Sequence, residues 1–183
     1  MKNKCGYPKS SEYPLPIKGV ITIMAKTKEV KTNAMRILER MKIPFSTHTY
    51  ECDEFIDSKQ TADLLGFPHE IMFKTLVTIG ADKAYRVFAI PIDEELDLKK
   101  AAKAAGCKSL AMIHVKELLG ITGYVRGGCT AIGMKKNYPV FMDETALHHS
   151  KIIVSGGRIG SQIELTPQDY QKACGAVFCA LTM

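Results

Sequence analysis

Short segments of helical and strand character alternate along most of this 183-residue chain, and cap or turn residues bound each of them. The pattern predicts helices that begin at Thr32 or Asn33, at Ser58, at Asp97 and at Thr166. Strands rich in β-branched and aromatic residues lie between these helices. The order contains no strict strand–helix–strand repeat. It therefore predicts a single α/β (α+β) domain around one mixed sheet.

The first 24 residues differ from the rest because they show no hydrophobic period and contain Pro8, Pro14 and Pro16. We interpret residues 1–26 as a flexible extension and residues 27–183 as the folded domain. No apolar run approaches the ~18 residues of a membrane span, and no secretion-signal core of ~7–15 apolar residues is present. These features predict a cytoplasmic protein with no membrane segment.

Six cysteines are scattered along the chain, and no two are spaced as Cys-x-x-Cys. No histidine follows a cysteine pair at zinc-finger spacing, so neither a structural zinc site nor a disulfide framework is predicted. In a cytosolic chain such cysteines are typically small buried apolar residues. His148 and His149, which are adjacent in a polar stretch, are expected on the surface rather than at a metal.

The formal net charge of +6 suits an anionic partner such as RNA. Half of this surplus lies in the first 24 residues, where four lysines face one acid. Charge alone therefore does not identify a nucleic-acid-binding protein.

Lys74 is the first candidate functional residue because it stands where a helical turn meets the apolar strand predicted for residues 75–79. A lysine in so apolar a stretch usually has a partner, and it can hold an anionic or carbonyl oxygen in a pocket. The alternative is a strand-edge lysine with its ammonium group in solvent.

Two glycine-rich stretches are the next candidates: TGYVRGG at 122–128, which continues to GMKK at 133–136, and VSGGRIG at 154–160. Neither matches a P-loop, a dinucleotide fingerprint or the Gly-x-Ser-x-Gly elbow. Such loops let backbone N–H groups approach an oxygen that becomes negative, and Ser155 can orient a substrate. The alternative is a pair of structural turns.

Tyr50, at the end of a predicted strand, carries a hydroxyl that can reach a pocket, although strand tyrosines are commonly half-buried packing residues. The sequence presents no nucleophile with a histidine base and an acid. A lysine, hydroxyls and glycine loops together suit cleavage of an already activated bond, such as the ester of an aminoacyl-tRNA.

Six short stretches occur in the order that is characteristic of the YbaK/EbsC family, and the chain resembles that family over roughly residues 30–182. Each stretch is weak by itself, but the ordered set is specific. They are HTY (48–50), FKTL (73–76), LDLKK (96–100), TGYVRGG (122–128), GMKK (133–136) and VSGG (154–157).

The resemblance implies the fold of the editing domain of prolyl-tRNA synthetases, a mixed sheet forming a distorted barrel flanked by helices. It also implies trans-editing, the hydrolysis of cysteine mischarged on proline tRNA, with aminoacylated tRNA(Pro) and prolyl-tRNA synthetase as partners. Because proline and cysteine are close in size, one binding pocket separates them poorly and a second hydrolytic site is needed. No metal or organic cofactor is implied.

By matching position, the resemblance implies that Lys74 is the essential pocket lysine. It implies oxyanion stabilisation and attack by the thiol of the substrate itself. Gln162 stands where some members carry an acid, and a carboxamide keeps the hydrogen-bond acceptor without the charge. The residues expected to bind substrate are Tyr50, Gly127, Gly128, Ser155, Gly156, Gly157 and Gln162.

Two alternatives remain open at this stage. One is a deacylase of another mischarged tRNA, such as Ala-tRNA(Pro), with a similar fold and a different pocket. The other is a non-catalytic tRNA-binding or regulatory protein.

Overall fold

The computed structural model describes residues 31–51 and 56–183, and the predicted extension 1–26 lies outside the described residues. The strands are β1 (Ser46–Thr49), β2 (Phe73–Gly80), β3 (Tyr85–Pro91), β4 (Leu110–Met112), β5 (Val140–Asp143), β6 (Ile152–Ser155), β7 (Ser161–Leu165) and β8 (Val177–Cys179). The α-helices are α1 (Asn33–Arg40), α2 (Ser58–Leu65), α3 (Leu98–Ala104), α4 (Val115–Thr122) and α5 (Pro167–Cys174). Two 3₁₀ helices cover His69–Ile71 and Glu144–His148.

The helix ends follow local capping chemistry. Thr32 caps α1 by accepting a hydrogen bond from the Met35 amide, and Thr166 caps α5 in the same way. Asp57 forms a capping box with Gln60 at the start of α2, and Gly66 ends that helix in the left-handed conformation. The predicted starts of α1, α3 and α5 are confirmed, and α2 begins at Ser58 with the preceding aspartate as its cap.

The strands form two sheets rather than the single sheet expected from the sequence. The smaller sheet has the antiparallel order β1-β7-β6, and the larger has the order β4-β2-β3-β5-β8 with antiparallel and parallel pairs. An isolated bridge between Met72 and Ile153 connects them. The mixed α/β architecture is therefore as predicted. The division of the strands into two sheets was not predicted, because strand pairing depends on contacts between residues far apart in sequence.

The main core lies between the two sheets, α1 and α5, where Leu38, Phe73, Ile163 and Tyr170 are buried. A second cluster covers the opposite face of the larger sheet. There Phe88 stacks on Phe141 with ring centroids 5.2 Å apart, beneath α3. Apolar burial on both faces makes the larger sheet a central layer with helices on either side.

A third, small cluster holds α2 over the junction of the sheets and joins Ala62, Met72, Ile92 and Ile153. Next to it, β2 has a partly open edge, because β4 pairs only with residues 78–80 of β2. The first half of β2 therefore faces the end of β6 across a gap. No helix in the described part of the chain combines the length and apolar character that a membrane span requires.

Candidate active site

A cavity of about 340 Å³ occupies this gap between the sheets. Its walls come from the start of α2, the open edge of β2, the loop at 126–129, the end of β6 and the start of β7. Four of the predicted site residues line it, although they come from four separate parts of the chain. They are Lys74, Gly127, Ser155 and Gln162.

Lys74 lies in β2 directly opposite Ile90 of β3 and is half-buried. Its ammonium group donates a hydrogen bond of 2.9 Å to the carbonyl oxygen of Ile92. Burial, and next the positive charge of Lys59, lower the pKa of Lys74 below its ordinary value. The buried-pocket interpretation of this lysine therefore agrees with its position, since its ammonium group is held inside the cavity wall.

An ion-pair network that includes Lys59 lies beside the cavity. Lys59 of α2 contacts Asp93 at 2.9 Å, and the same carboxylate contacts Nδ1 of His69 at 3.0 Å. Nε2 of His69 reaches Asp63 at 3.0 Å, and the hydrogen bond to Asp63, followed by that to Asp93, raises the pKa of His69. The network fixes the position of Lys59, a cavity residue that the sequence did not single out.

Ser155 and Gln162 are direct partners in the antiparallel pair β6–β7, so both side chains point to the same face of the smaller sheet. The Ser155 hydroxyl is buried, and within the described part of the chain it has no hydrogen-bond partner. A buried hydroxyl without a protein partner is available to a ligand. Gln162 is also buried and adds a neutral amide beside it.

The loop at 126–129 forms the cavity wall between β2 and the antiparallel pair β6–β7. Gly127 has a φ of +83°, in the left-handed region that glycine enters without strain. Cys129 is buried behind it, and burial raises the pKa of its thiol to about 12. The thiol is therefore protonated at neutral pH. Cys129 was not identified from the sequence, where it is one of six scattered cysteines.

Three predicted substrate-binding glycines lie outside the lining of this cavity. Gly128 packs on the backbone of Arg158, and a Cβ there would lie 2.8 Å from the Arg158 Cα. Gly156 accepts a 2.6 Å hydrogen bond from the hydroxyl of Thr32. Gly157, with a φ of +97°, packs beside Tyr124. These contacts are structural, and a substrate-binding role for the three glycines stays a prediction.

Tyr50 also stands outside the lining. It follows β1, is half-buried, and its hydroxyl lies 3.2 Å from the hydroxyl of Thr61. Thr61 lines the cavity from α2 and donates its own hydrogen bond to the Asp57 carbonyl oxygen. Tyr50 is thus one residue removed from the cavity, and its part in substrate binding stays a prediction. The helical period of α2 could have suggested Thr61, since it shares a buried face with Ala62.

The described residues that line the cavity include no histidine, so no serine–histidine or cysteine–histidine pair is formed there. His148 is exposed and His149 is half-buried, at the end of the second 3₁₀ helix. Across 31–51 and 56–183, no group of three or more metal-binding side chains comes together. The site therefore offers cations, a hydroxyl, an amide and backbone groups, a set that can bind a polar substrate and stabilise a negative oxygen.

This fold and cavity define an editing domain, and the chain belongs to the family of aminoacyl-tRNA editing domains, whose family model matches residues 54–173. EbsC of Enterococcus faecalis, named as a candidate Cys-tRNA(Pro)/Cys-tRNA(Cys) deacylase, is 44% identical over 161 residues. The match covers 87% of this chain and 98% of EbsC. The family membership inferred from the ordered motifs is confirmed, and with it the prediction of a tRNA-editing deacylase.

Solved structures support the fold. A protein described as a candidate trans-editing enzyme for prolyl tRNA synthetase superposes with a TM-score of 0.72 at 22% identity, covering 83% of this chain and 98% of its own. The hypothetical protein APE2540 has a TM-score of 0.74 at 22% identity and covers 81% and 97%. At these identities the likeness concerns the fold alone.

Proposed function

We propose that this chain hydrolyses the ester bond of cysteine mischarged on tRNA(Pro) and acts in trans, as a protein separate from the synthetase. The name of EbsC, which matches over nearly its whole length, supports this substrate class. Translation in the cytoplasm supplies the mischarged tRNA, so we place the activity there. The observation that carries the chemistry is that one cavity is lined by Lys74, Gly127 and Ser155, whose hydroxyl has no hydrogen-bond partner among the described residues.

In the proposed reaction, Lys74 stabilises the oxyanion that forms when the ester carbonyl is attacked. An ammonium group has three N–H donors, and the described contact with the Ile92 carbonyl uses one of them. Partial burial strengthens the attraction between the ammonium charge and the developing negative charge. Ser155 adds a hydrogen bond that orients the substrate.

The nucleophile in this proposal comes from the substrate. Cys129 is protonated at neutral pH because burial raises its pKa to about 12, and Ser155 has no histidine base within the described lining. The cysteinyl thiol instead attacks its own ester carbonyl. A C–S bond forms, the C–O ester bond breaks, and the thiol proton passes to the departing ribose oxygen. Water then opens the resulting cyclic thioester and releases free cysteine.

This route favours cysteine over alanine because alanine has no thiol to attack its ester. Gln162 holds the polar end of the aminoacyl group without a charge, next to Ser155. The cavity is at the small end of ligand sites, which are typically ~300–1,000 Å³, so it suits the aminoacyl end of a tRNA rather than its body. We therefore propose that prolyl-tRNA synthetase contributes the choice of tRNA.

The test is a deacylation assay with purified protein and three labelled substrates, Cys-tRNA(Pro), Ala-tRNA(Pro) and Cys-tRNA(Cys). Each is followed with and without prolyl-tRNA synthetase. Rapid loss of cysteine from tRNA(Pro), with alanine retained, is the expected result. The synthetase should increase the difference in deacylation rate between Cys-tRNA(Pro) and Cys-tRNA(Cys). Preferential release of alanine would refute the specificity, and retention of all three labels would refute the enzymatic function.

A further inference from the structure

A second cavity, of about 750 Å³, lies away from the editing site and is more basic. It is bounded by α1, the segment 131–138, the start of β5 and the end of α5. Arg36, Arg40 and Lys136 line it, and no acidic residue does so within the described part of the chain. This cavity is larger than the editing site, and both helix α1 and the segment 131–138 contribute cations to it.

Among the residues that the structure describes, the three cations have no acidic partner. Arg36 and Arg40 are four residues apart and therefore share one face of α1. The nearest acid in sequence, Glu39, is paired with Lys31. For residues 31–51 and 56–183, no hydrogen bond or ion pair engages the side chains of Arg36, Arg40 or Lys136. Unpaired cations that converge on one cavity attract an anionic ligand.

The wall that carries Lys136 is held against α1. Asn33 donates a 2.9 Å hydrogen bond to the Gly133 carbonyl oxygen. Gly133 has a φ of +75°, and a Cβ there would lie 2.6 Å from Cδ1 of Ile37, so a larger residue would strain the backbone and displace the Ile37 side chain. The neighbouring Lys135 is bonded to the Leu119 carbonyl oxygen. Lys136 therefore lines the same cavity as the two arginines.

The same segment of chain forms walls of both cavities. Gly127 and Cys129 line the editing site, whereas Gly133 and Lys136 line the basic cavity. The nine residue-to-residue steps from Gly127 to Lys136 span at most about 32 Å, even when fully extended. An RNA whose aminoacylated end fills the editing site can therefore bring its own phosphates to the basic cavity.

We propose that the basic cavity binds backbone phosphates of the tRNA body, an inference that rests on the proposed function. The ligand class is an RNA phosphodiester chain, and each cation neutralises about one phosphate. Such contacts add affinity without reading sequence, and salt weakens them. This agrees with a protein that leaves the choice of tRNA to a partner.

The test measures binding of uncharged tRNA(Pro) by fluorescence anisotropy over a series of KCl concentrations. Substituting Arg36→Gln, Arg40→Gln and Lys136→Gln together should raise Kd by at least about tenfold at ~0.1 M KCl. The slope of the logarithm of the association constant against the logarithm of the KCl concentration should fall in magnitude by about 2–3, because up to three phosphate contacts are lost. The variant Arg36→Lys, Arg40→Lys and Lys136→Arg keeps the charges and should keep the slope.

The matched control replaces Lys99, Lys103 and Lys108 by glutamine, which removes the same charge around a third cavity beside α3. It should shift Kd by less than about threefold. The proposal is overturned if this control weakens binding as much as the cavity variant, or if the cavity variant binds tRNA normally. It is also overturned if the cavity variant loses affinity for inorganic phosphate, measured by calorimetry, but not for tRNA. Because uncharged tRNA is used, a failure of deacylation alone would refute the proposed function and leave this result standing.

Discussion

Gly128 lies so close to Arg158 that a Cβ on the glycine would stand 2.8 Å from the arginine Cα and 2.9 Å from its carbonyl carbon. The atoms that would clash belong to the backbone, so a rotamer change cannot relieve the contact. The contact joins the loop after α4 to the turn between β6 and β7. Gly127 directly precedes Gly128 in sequence, and Ser155 lies shortly before Arg158. The contact between the two loops therefore places Gly127 and Ser155 in the lining of one cavity.

Gly128→Ala should separate these two loops. Overpacking of this kind costs about 1–3 kcal/mol of unfolding free energy, and we expect deacylation to fall with it because two cavity walls move apart. Gly120→Ala is the matched control. Gly120 lies in α4, where an added Cβ would meet no atom within 4 Å, and alanine there should stabilise the helix by about 0.5–1 kcal/mol. Urea unfolding measures the free energy of unfolding of both variants. Equal values for Gly128→Ala and Gly120→Ala would contradict the close approach of Gly128 to Arg158.

Lys74→Ala should lower the rate of deacylation by about 10²–10³-fold, the usual cost of removing an oxyanion donor. The fold should survive, because the side chain is only half-buried and its bond goes to one carbonyl oxygen. Lys116→Ala, at an exposed position of α4, controls for loss of charge. Single-turnover rates and circular dichroism provide the measurements. Full activity in Lys74→Ala with a native spectrum would show that the lysine is not catalytic.

Ser155→Ala should reduce deacylation much less than Lys74→Ala does. Loss of one hydrogen bond corresponds to about 0.5–1.5 kcal/mol, or roughly 2–13-fold in rate. Ser161→Ala is a close control, since its hydroxyl is also buried and partnerless among the described residues but lies outside the cavity lining. A loss in Ser155→Ala as large as that in Lys74→Ala would instead identify Ser155 as a nucleophile.

Cys129 should resist alkylation, because burial raises its pKa to about 12 and only the thiolate reacts. At pH 8 its thiolate fraction is roughly a thousandfold below that of a free cysteine, whose pKa is about 8.5. Labelling should rise only as the pH approaches 12. Iodoacetamide treatment followed by mass spectrometry, with N-acetylcysteine as the reference, measures this. Labelling at the rate of the free thiol would show that Cys129 is able to act as a nucleophile.

Helix ends and strand positions could largely be predicted because their signals are local. The Thr166-Pro167 start of α5 and the left-handed Gly66 after α2 depend on residues within one turn of the helix. The 3₁₀ helix Glu144–His148 was not predicted, since one and a half turns carry no clear hydrophobic period. The division of the strands into two sheets was not predicted either.

Four of the eight residues proposed for the site line one cavity, and their roles stay predictions. Lys74 was identified because a charge in an apolar strand is unusual, and Ser155 because a glycine pair follows it. The sequence could not separate Gly127, which lines the cavity, from Gly156, which is bonded to Thr32 across 124 positions. Lys59 and Cys129 have no local signal and reach the cavity through packing.

The sequence by itself determined the family, the boundaries of most elements and the one lysine on which the proposed chemistry depends. These features are encoded in ordered motifs and in interactions between residues a few positions apart. The tertiary structure decided which glycines line the cavity and which pack against a neighbouring loop, and it brought Arg36, Arg40 and Lys136 to one basic cavity. The physical reason is that such assignments depend on pairs of residues far apart in sequence, whose separation is set only when the core packs.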